Sequence, residues 1–86
     1  HNFKLSHYLE KDGENYIIRL TEHMTFLNKA SLLKTLTSIP NDVKVTIDQR
    51  DVKHLAHDIV ESIEDFKIRA KDKNIEIEIL KPIETI

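Results

Sequence analysis

The fold is decided by residues 43–80, which read VKVTIDQRDVKHLAHDIVESIEDFKIRAKDKNIEIEIL. Residues 43–48 alternate apolar and polar side chains and include β-branched residues, which predicts a strand that ends at Asp48. Residues 75–79 alternate isoleucine with glutamate, so residues 75–80 are predicted to form a last strand, which Pro82 ends. Because the intervening segment is long enough for a crossover helix, the two strands are expected to be parallel.

A helix is predicted between these strands from four apolar residues that recur in steps of four, three and four: Ile59, Ile63, Phe66 and Ala70. Acidic residues crowd its first turns and basic residues its last turns, which matches the sign of the helix dipole at both ends. Residues 49–57 then form a loop that ends at His57. We expect Asp58 to cap this helix by accepting hydrogen bonds from the free backbone amides at its start.

An earlier helix is predicted over residues 26–39, where apolar residues recur in steps of three and four: Phe26, Leu27, Ala30, Leu33 and Leu36. We expect this stripe to face the core, with Phe26, Ala30, Leu33 and Leu36 buried, and Leu32 lies off it. Thr25 or Asn28 can supply the side-chain oxygen that accepts from free amides at the helix start. Pro40 ends the helix because proline disfavours helical geometry at the residue before it.

The start of the chain is predicted to be a β-hairpin around Asp12-Gly13, since glycine tolerates the positive φ that tight hairpin turns require. Its first arm, from Phe3 to Leu9, is less apolar and suits a sheet edge. Its second arm, residues 16–20, has apolar residues on both faces, which is expected when helices cover both sides of a strand.

The predicted fold is therefore α/β, with the order β-β-α-β-α-β and a mixed four-stranded sheet packed with helices. The last three strands are parallel, and the first is an antiparallel edge. A chain of 86 residues supports one domain, which spans residues 1–86. The start at His1 instead of Met is typical of an excised fragment, which could also lack a C-terminal helix. No apolar run approaches the roughly 20 residues of a transmembrane helix.

Composition and motifs argue against most kinds of catalytic and ligand-binding site. The net charge of -2 with interspersed signs does not favour nucleic acid, and the chain has no cysteine. Gly13 is the only glycine, which excludes glycine-rich phosphate loops and nucleophile elbows. His54, His57 and Asp58 are the one cluster that could bind a metal or transfer protons, but three-residue spacing in a loop favours an exposed loop with a helix cap. We expect no catalytic, cofactor or metal site and keep a small metal-dependent enzyme as a control hypothesis.

Contacts with a partner are the remaining way for such a domain to act. The loop over residues 49–57 and the start of the following helix mix cations, histidines and carboxylates more than any other stretch. The candidate partner surface comprises Arg50, Lys53, His54, Glu61, Ser62 and Asp65. Ordinary solvation of a polar helix front is the alternative interpretation.

The layout of strand, aspartate, loop, helix and strand resembles STAS domains (sulfate transporter and anti-sigma factor antagonist). The similarity to bacterial SulP transporters is carried by residues 26–30 (FLNKA), Leu36, Pro40, residues 45–48 (VTID) and residues 58–67 (DIVESIEDFK). It covers roughly residues 16–80. In soluble anti-sigma factor antagonists the loop before this helix reads approximately Asp-Ser-Ser-Gly and is phosphorylated on serine. Residues 56–59 (AHDI) stand in those places here, so that phosphorylation switch is not expected.

The resemblance implies a non-catalytic STAS domain of a SulP-type transporter for an inorganic anion such as sulfate or bicarbonate. Its implied role is regulation, assembly or partner docking on the cytoplasmic face of the inner or plasma membrane. The implied partners are the transmembrane part of the same chain and, further, a cytoplasmic regulatory protein, without nucleic acid and without insertion into the membrane. The alternative is a free-standing STAS regulator of the anti-sigma factor antagonist type that binds a signalling protein.

Overall fold

The computed structural model describes residues 6–83. The strands are β1 (His7–Asp12), β2 (Asn15–Leu20), β3 (His23–Met24), β4 (Lys44–Asp48), β5 (His54–Leu55) and β6 (Glu76–Leu80). A 3-10 turn (Phe26–Asn28) leads into α1 (Lys29–Ser38), and α2 (His57–Asp72) precedes β6. The main sheet has the order β1-β2-β4-β6, with β1 antiparallel to β2 and the other pairs parallel. The predicted mixed α/β sheet is therefore confirmed, whereas the short parallel pair β3–β5 was not predicted.

The hairpin turns where the sequence predicts it. Asp12 pairs with Asn15, so Gly13 and Glu14 form a two-residue turn, and Gly13 has a φ of 62°. Positive φ at this position explains the use of the chain's single glycine here. Phe3 and Leu5 of the predicted first arm lie outside the described residues.

Both helices lie on one face of the sheet. Ile18, Ile47 and Ile79 are in register across β2, β4 and β6, and they form part of the core beneath the helices or pack against it. On β1, the same face presents His7, whose Nε2 lies 2.6 Å from Oγ1 of Thr35 on α1. The opposite face mixes charged residues such as Glu10, Arg19 and Glu78 with Ile17, and within residues 6–83 no helix covers it, so the prediction that helices cover both sides of β2 is wrong.

The apolar stripe of α2 is confirmed. Ile59, Ile63, Phe66 and Ala70 are all buried in the core, where Phe66 is the largest fully buried side chain. Strict helical spacing over 16 residues leaves one orientation that removes these side chains from water. None of the helices described over residues 6–83 is long and apolar enough to span a bilayer.

The buried face of α1 differs from the predicted stripe. Leu32, Leu36 and Ile39 are buried, whereas Ala30 is exposed and Leu33 is half-buried. Leu36 belongs to both stripes and is the one correctly predicted. The α-helix begins only at Lys29, because the preceding residues form a 3-10 turn with about three residues per turn. That change of period rotates the helix relative to a continuous α-helix over residues 26–39 and turns Phe26 outward.

Candidate functional site

The candidate site lies at the carboxyl ends of β2 and β4 and comprises residues 21–28 and 49–61, here called the strand-end surface. Its two segments are joined by the β3–β5 pair, in which His23 is in register with His54. The amides of Lys53 and His54 both donate to the carbonyl of Glu22, at 2.8 and 3.1 Å. Backbone hydrogen bonds thus combine two loops into one surface of defined shape.

The buried side chain of Asp48 holds the start of the β4–α2 loop in place. Its side chain is only 5% exposed, and its Oδ1 accepts hydrogen bonds from the backbone N and Nε of Arg50, both at 3.0 Å. Its Oδ2 accepts from Nη2 of Arg50 at 2.9 Å and lies 3.5 Å from Nε of Arg19. The hydrogen bonds from Arg50 lower the pKa of Asp48 to about 2 despite burial, which acts in the opposite direction. The first turn of the β4–α2 loop is therefore fixed to the sheet.

The surface charges form local pairs. Nζ of Lys53 lies 3.0 Å from Oε1 of Glu22, and Nε2 of His57 lies 3.6 Å from Oε1 of Glu61. Arg19 bridges Asp48 to Glu10, whose Oε1 accepts from Nη1 of Arg19 at 3.0 Å. An open groove of about 560 Å³ beside Arg50 is lined by three cations, Arg19, Arg50 and Lys53, and each of them already has a carboxylate partner. The groove therefore offers little uncompensated charge for a small anion.

Of the six residues predicted to form the partner surface, five are exposed and one is buried. Arg50, Lys53, His54 and Glu61 are exposed on the strand-end surface, and Asp65 is exposed about two turns further along α2 than His57. Ser62 is not on a surface. It is 3% exposed, and its Oγ donates to the carbonyl of Asp58 at 2.8 Å. The prediction is wrong for Ser62 because it lies beside Ile63 and Phe66 on the inward side of α2.

Asp58 does not cap α2, so that prediction is also wrong. The N-cap is Ala56, which has extended backbone angles and no side chain able to accept a hydrogen bond. The carbonyl of Ala56 accepts from the amides of Ile59 and Val60, so the helix starts at His57 and its N-cap lies two residues before the predicted one. Asp58 lies in the first turn instead, where its charge remains favourable toward the helix dipole.

Phe26 and Leu27 are the part of the surface that sequence reasoning missed. They are 65% and 76% exposed, on the 3-10 turn that contacts α2. A capping box holds this turn: Thr25 Oγ1 accepts from the amide of Leu27 at 3.3 Å, and the amide of Thr25 donates to Oδ1 of Asn28 at 2.8 Å. The spacing of Thr25 and Asn28 is the signal that could have revealed it, because a capping box marks a helix start.

Two kinds of site have no counterpart in the described part of the chain. Over residues 6–83, no group of three or more His, Asp and Glu side chains is placed to hold a metal ion. Open α/β sheets bind ligands in the crevice where successive crossovers diverge to opposite faces. Both crossover helices described here lie on one face, so residues 6–83 form no such crevice.

The sequence matches no protein-family model and no curated protein at a significant level. Among solved structures, Mglu in its glutamate form has a TM-score of 0.77 at 11% identity, covering 95% of this chain and 28% of that chain. Another structure of Mglu has a TM-score of 0.74 at 17% identity, covering 92% of this chain and 20% of that chain. The present chain therefore spans about a fifth to a quarter of Mglu.

The STAS domain of an antisigma-factor antagonist from Rhodobacter sphaeroides has a TM-score of 0.63 at 15% identity. The match covers 90% of this chain and 84% of that domain, including the order of strands and helices expected from the sequence. Likenesses at these identities establish a common fold and no more. Residues 6–83 have the STAS fold.

Proposed function

We propose that this chain is a non-catalytic docking domain of a SulP-type transporter for an inorganic anion such as sulfate or bicarbonate. In this proposal the domain lies on the cytoplasmic face of the membrane, and the strand-end surface binds the transmembrane part of the same transporter. A cytoplasmic regulatory protein is a further partner for this surface.

The observation that carries the proposal is the exposed pair Phe26 and Leu27. Exposure of large apolar side chains to water is unfavourable in the isolated domain, and their burial in a complex contributes to the free energy of binding. Burying one such side chain contributes roughly 1.5 to 3 kcal/mol. Exposed charged and polar residues, including Lys53 and His57, lie on the same strand-end surface. An apolar centre with a polar rim is the arrangement of binding hot spots in protein interfaces.

The start of α2 supports a docking role without phosphorylation. Ala56, His57 and Asp58 occupy the N-cap and the first two helical positions, and none has a hydroxyl group. The nearest hydroxyl along α2 is that of Ser62, which is buried and donates to a backbone carbonyl. A kinase could reach it only after local unfolding of the helix. This arrangement favours the transporter branch of STAS domains over the branch regulated by serine phosphorylation.

A free-standing STAS regulator that binds a signalling protein is the second candidate. The match to the Rhodobacter sphaeroides domain favours it, because it covers 84% of a chain described as an STAS domain by itself. Both candidates use the same surface and differ in what precedes the domain in the full protein. Sequencing the reading frame upstream of His1 separates them: membrane-spanning segments support the transporter, and a nearby start codon supports the regulator.

Anion uptake by the full-length carrier in lipid vesicles tests the docking role. The double variant Phe26→Ser/Leu27→Ser should reduce uptake or the amount of assembled carrier, since it removes the apolar centre of the surface. Ile68→Ser is the matched control, because Ile68 is equally exposed on the outer face of α2. Circular dichroism of the isolated variants checks folding. Wild-type uptake and wild-type abundance for the double variant would instead support ordinary solvation of this surface.

The charges offer a second arm of the same experiment. Charge reversal at Lys53, Glu61 and Asp65 should leave the isolated domain folded, because surface substitutions away from caps usually change stability by less than about 0.5 kcal/mol. Arg50 is excluded from this set since it binds buried Asp48. A loss of uptake in a folded charge-reversal variant supports docking through the polar rim.

A further inference from the structure

The outer edge of β6 is a second candidate surface for contacts with a partner. Within residues 6–83, β6 pairs only with β4, so its other edge has no backbone partner. The amide of Glu76 donates to the carbonyl of Val43, and the carbonyl of Leu80 accepts from Gln49. Since backbone groups alternate in direction along a strand, those of Ile77 and Ile79 point away from the sheet.

The helix side of this edge is an apolar groove. A cavity of about 360 Å³ between α2 and β6 is lined by Ile75, Ile77, Ile79, Lys67 and Lys71. A smaller cavity of about 230 Å³ continues it and shares Lys67 and Ile79. Ile77 and Ile79 are only half-buried. The edge therefore combines free backbone hydrogen-bonding groups with apolar side chains that are not fully covered.

The other side of the edge is acidic. Glu76 and Glu78 point to the open face, and their side chains are 77% and 50% exposed. One cation, Lys44, lies 3.9 Å from the carboxylate of Glu76 and 3.6 Å from that of Glu78. Two carboxylates thus share one lysine, and a net negative charge remains on this side.

Two registers in which a second copy of the chain would pair with this edge are disfavoured by charge. Two β6 strands that meet about a two-fold axis are antiparallel, and residues directly opposite each other point to the same face. With the axis at Ile77, Glu76 of one copy opposes Glu78 of the other. With the axis at Glu78, the two copies of Glu78 oppose each other. The registers centred on Ile77 and on Glu78 both place like charges directly opposite, which is destabilising, so these two pairings of the edge with itself are disfavoured.

We infer that the β6 edge binds an extended segment of a partner protein in which basic and apolar residues alternate, as a fifth strand of the sheet. Its backbone pairs with Ile77 and Ile79, its basic side chains face Glu76 and Glu78, and its apolar side chains enter the groove beside α2. Strand addition of this kind derives affinity from main-chain hydrogen bonds and specificity from alternate side chains. The β1 edge offers no equivalent, because its helix side presents His7, Leu9 and Lys11. This inference does not depend on the transporter proposal.

Three blocked eight-residue peptides test the inference: alternating lysine and valine, alternating glutamate and valine, and a lysine block followed by a valine block. Binding to the isotope-labelled chain is followed by NMR. We expect the lysine–valine alternation to bind most tightly and to slow amide exchange at Ile77 and Ile79, while the inward amides of Glu76 and Glu78 change little. Equal binding of the block peptide, which has the same charge, would show attraction without strand addition and overturn the inference.

Charge exchange on β6 provides the second arm. Glu76→Lys/Glu78→Lys should reverse the preference in favour of the glutamate–valine peptide, with a change in relative affinity of roughly tenfold from two cross-strand charge pairs. The control Asp12→Lys/Glu14→Lys makes the same change in net charge at the tip of the β1–β2 hairpin and should leave the preference unchanged. An unchanged preference in the β6 variant, or concentration-dependent dimerisation of the wild-type chain through β6, would contradict the inference. The wild-type comparison of peptides remains decisive if the β6 variant does not fold.

Discussion

Removal of the Arg50 side chain is the sharpest test of how the strand-end surface is built. In Arg50→Ala, Asp48 loses the two side-chain hydrogen bonds from Nε and Nη2 while it stays beneath the loop. The Arg50 backbone amide and Arg19 remain as partners, but a buried carboxylate that loses part of its hydrogen bonding retains the full cost of leaving water. We therefore expect the variant to unfold at lower denaturant concentration near neutral pH.

The pKa of Asp48 gives the size of the effect. Its lowering from 3.8 to about 2 corresponds to about 2.5 kcal/mol, at about 1.4 kcal/mol per pKa unit. The Arg50 side chain is 58% exposed, so solvent screens the pair and we expect a loss of about 1 kcal/mol. Because the pKa is lowered in the folded state, this stabilisation is present above pH 3.8 and is lost as the pH falls from there toward 2.

Urea unfolding of the wild type and Arg50→Ala at pH 7 and at pH 2 measures this difference. The variant should be less stable at pH 7, and the two proteins should converge at pH 2. Lys53→Ala is the control, since Lys53 pairs with Glu22 at the exposed surface and should cost less than about 0.5 kcal/mol. If Arg50→Ala lowers stability by the same amount at both pH values, its role is packing and not the carboxylate interaction.

Two further predictions concern the edges of the core and of α2. Burial lowers the pKa of His7, whose ring nitrogens contact Ser6 and Thr35, so stability should decrease as the pH falls below about 6.5. His7→Gln should weaken that dependence in unfolding measured between pH 7.5 and 5.5. Identical pH profiles for the two proteins would contradict this prediction. Ala56→Ser should raise the free energy of unfolding by about 0.5 to 1 kcal/mol by adding the missing cap, while Asp58→Ala should lower it by no more than about 0.5 kcal/mol. A larger loss for Asp58→Ala than the gain for Ala56→Ser would favour Asp58 as the effective cap.

The sheet and α2 were predictable because their patterns admit one interpretation. Alternation over residues 43–48 and 75–79 places every second residue on one face, and a shift by one position would bury glutamates. The stripe from Ile59 to Ala70 likewise leaves one inward face. In α1, two stripes of the same period cross at Leu36, one from Phe26 and one from Leu32. Hydrophobic periodicity cannot distinguish them, and the 3-10 turn held by Thr25 and Asn28 decides between them.

The candidate site was predictable as a region and not in its details. The loop at the end of β4 had to lie beside the start of α2, because a short connection leaves it no alternative. The β3–β5 pair is only two residues long and is made by backbone groups, so it leaves no side-chain pattern to find. Ser62 was misplaced for a related reason. A polar residue beside Ile63 fits equally a helix flank or a buried position with a hydrogen bond to the preceding turn, and only packing against α1 and the sheet decides.

Asp48 connects the fold to the surface it supports. It is the last residue of β4, in register with Arg19 of β2, so the strand that organises the sheet also ends in the carboxylate that fixes the loop. The same loop pairs with the segment that leads to Phe26, through Glu22 and Met24. Substitution at Asp48 should therefore disturb Phe26 and Leu27, although they lie about 20 residues away along the chain. A surface built on the end of a central strand keeps its shape without a ligand, so under the proposed docking role little ordering entropy would be lost when a partner binds.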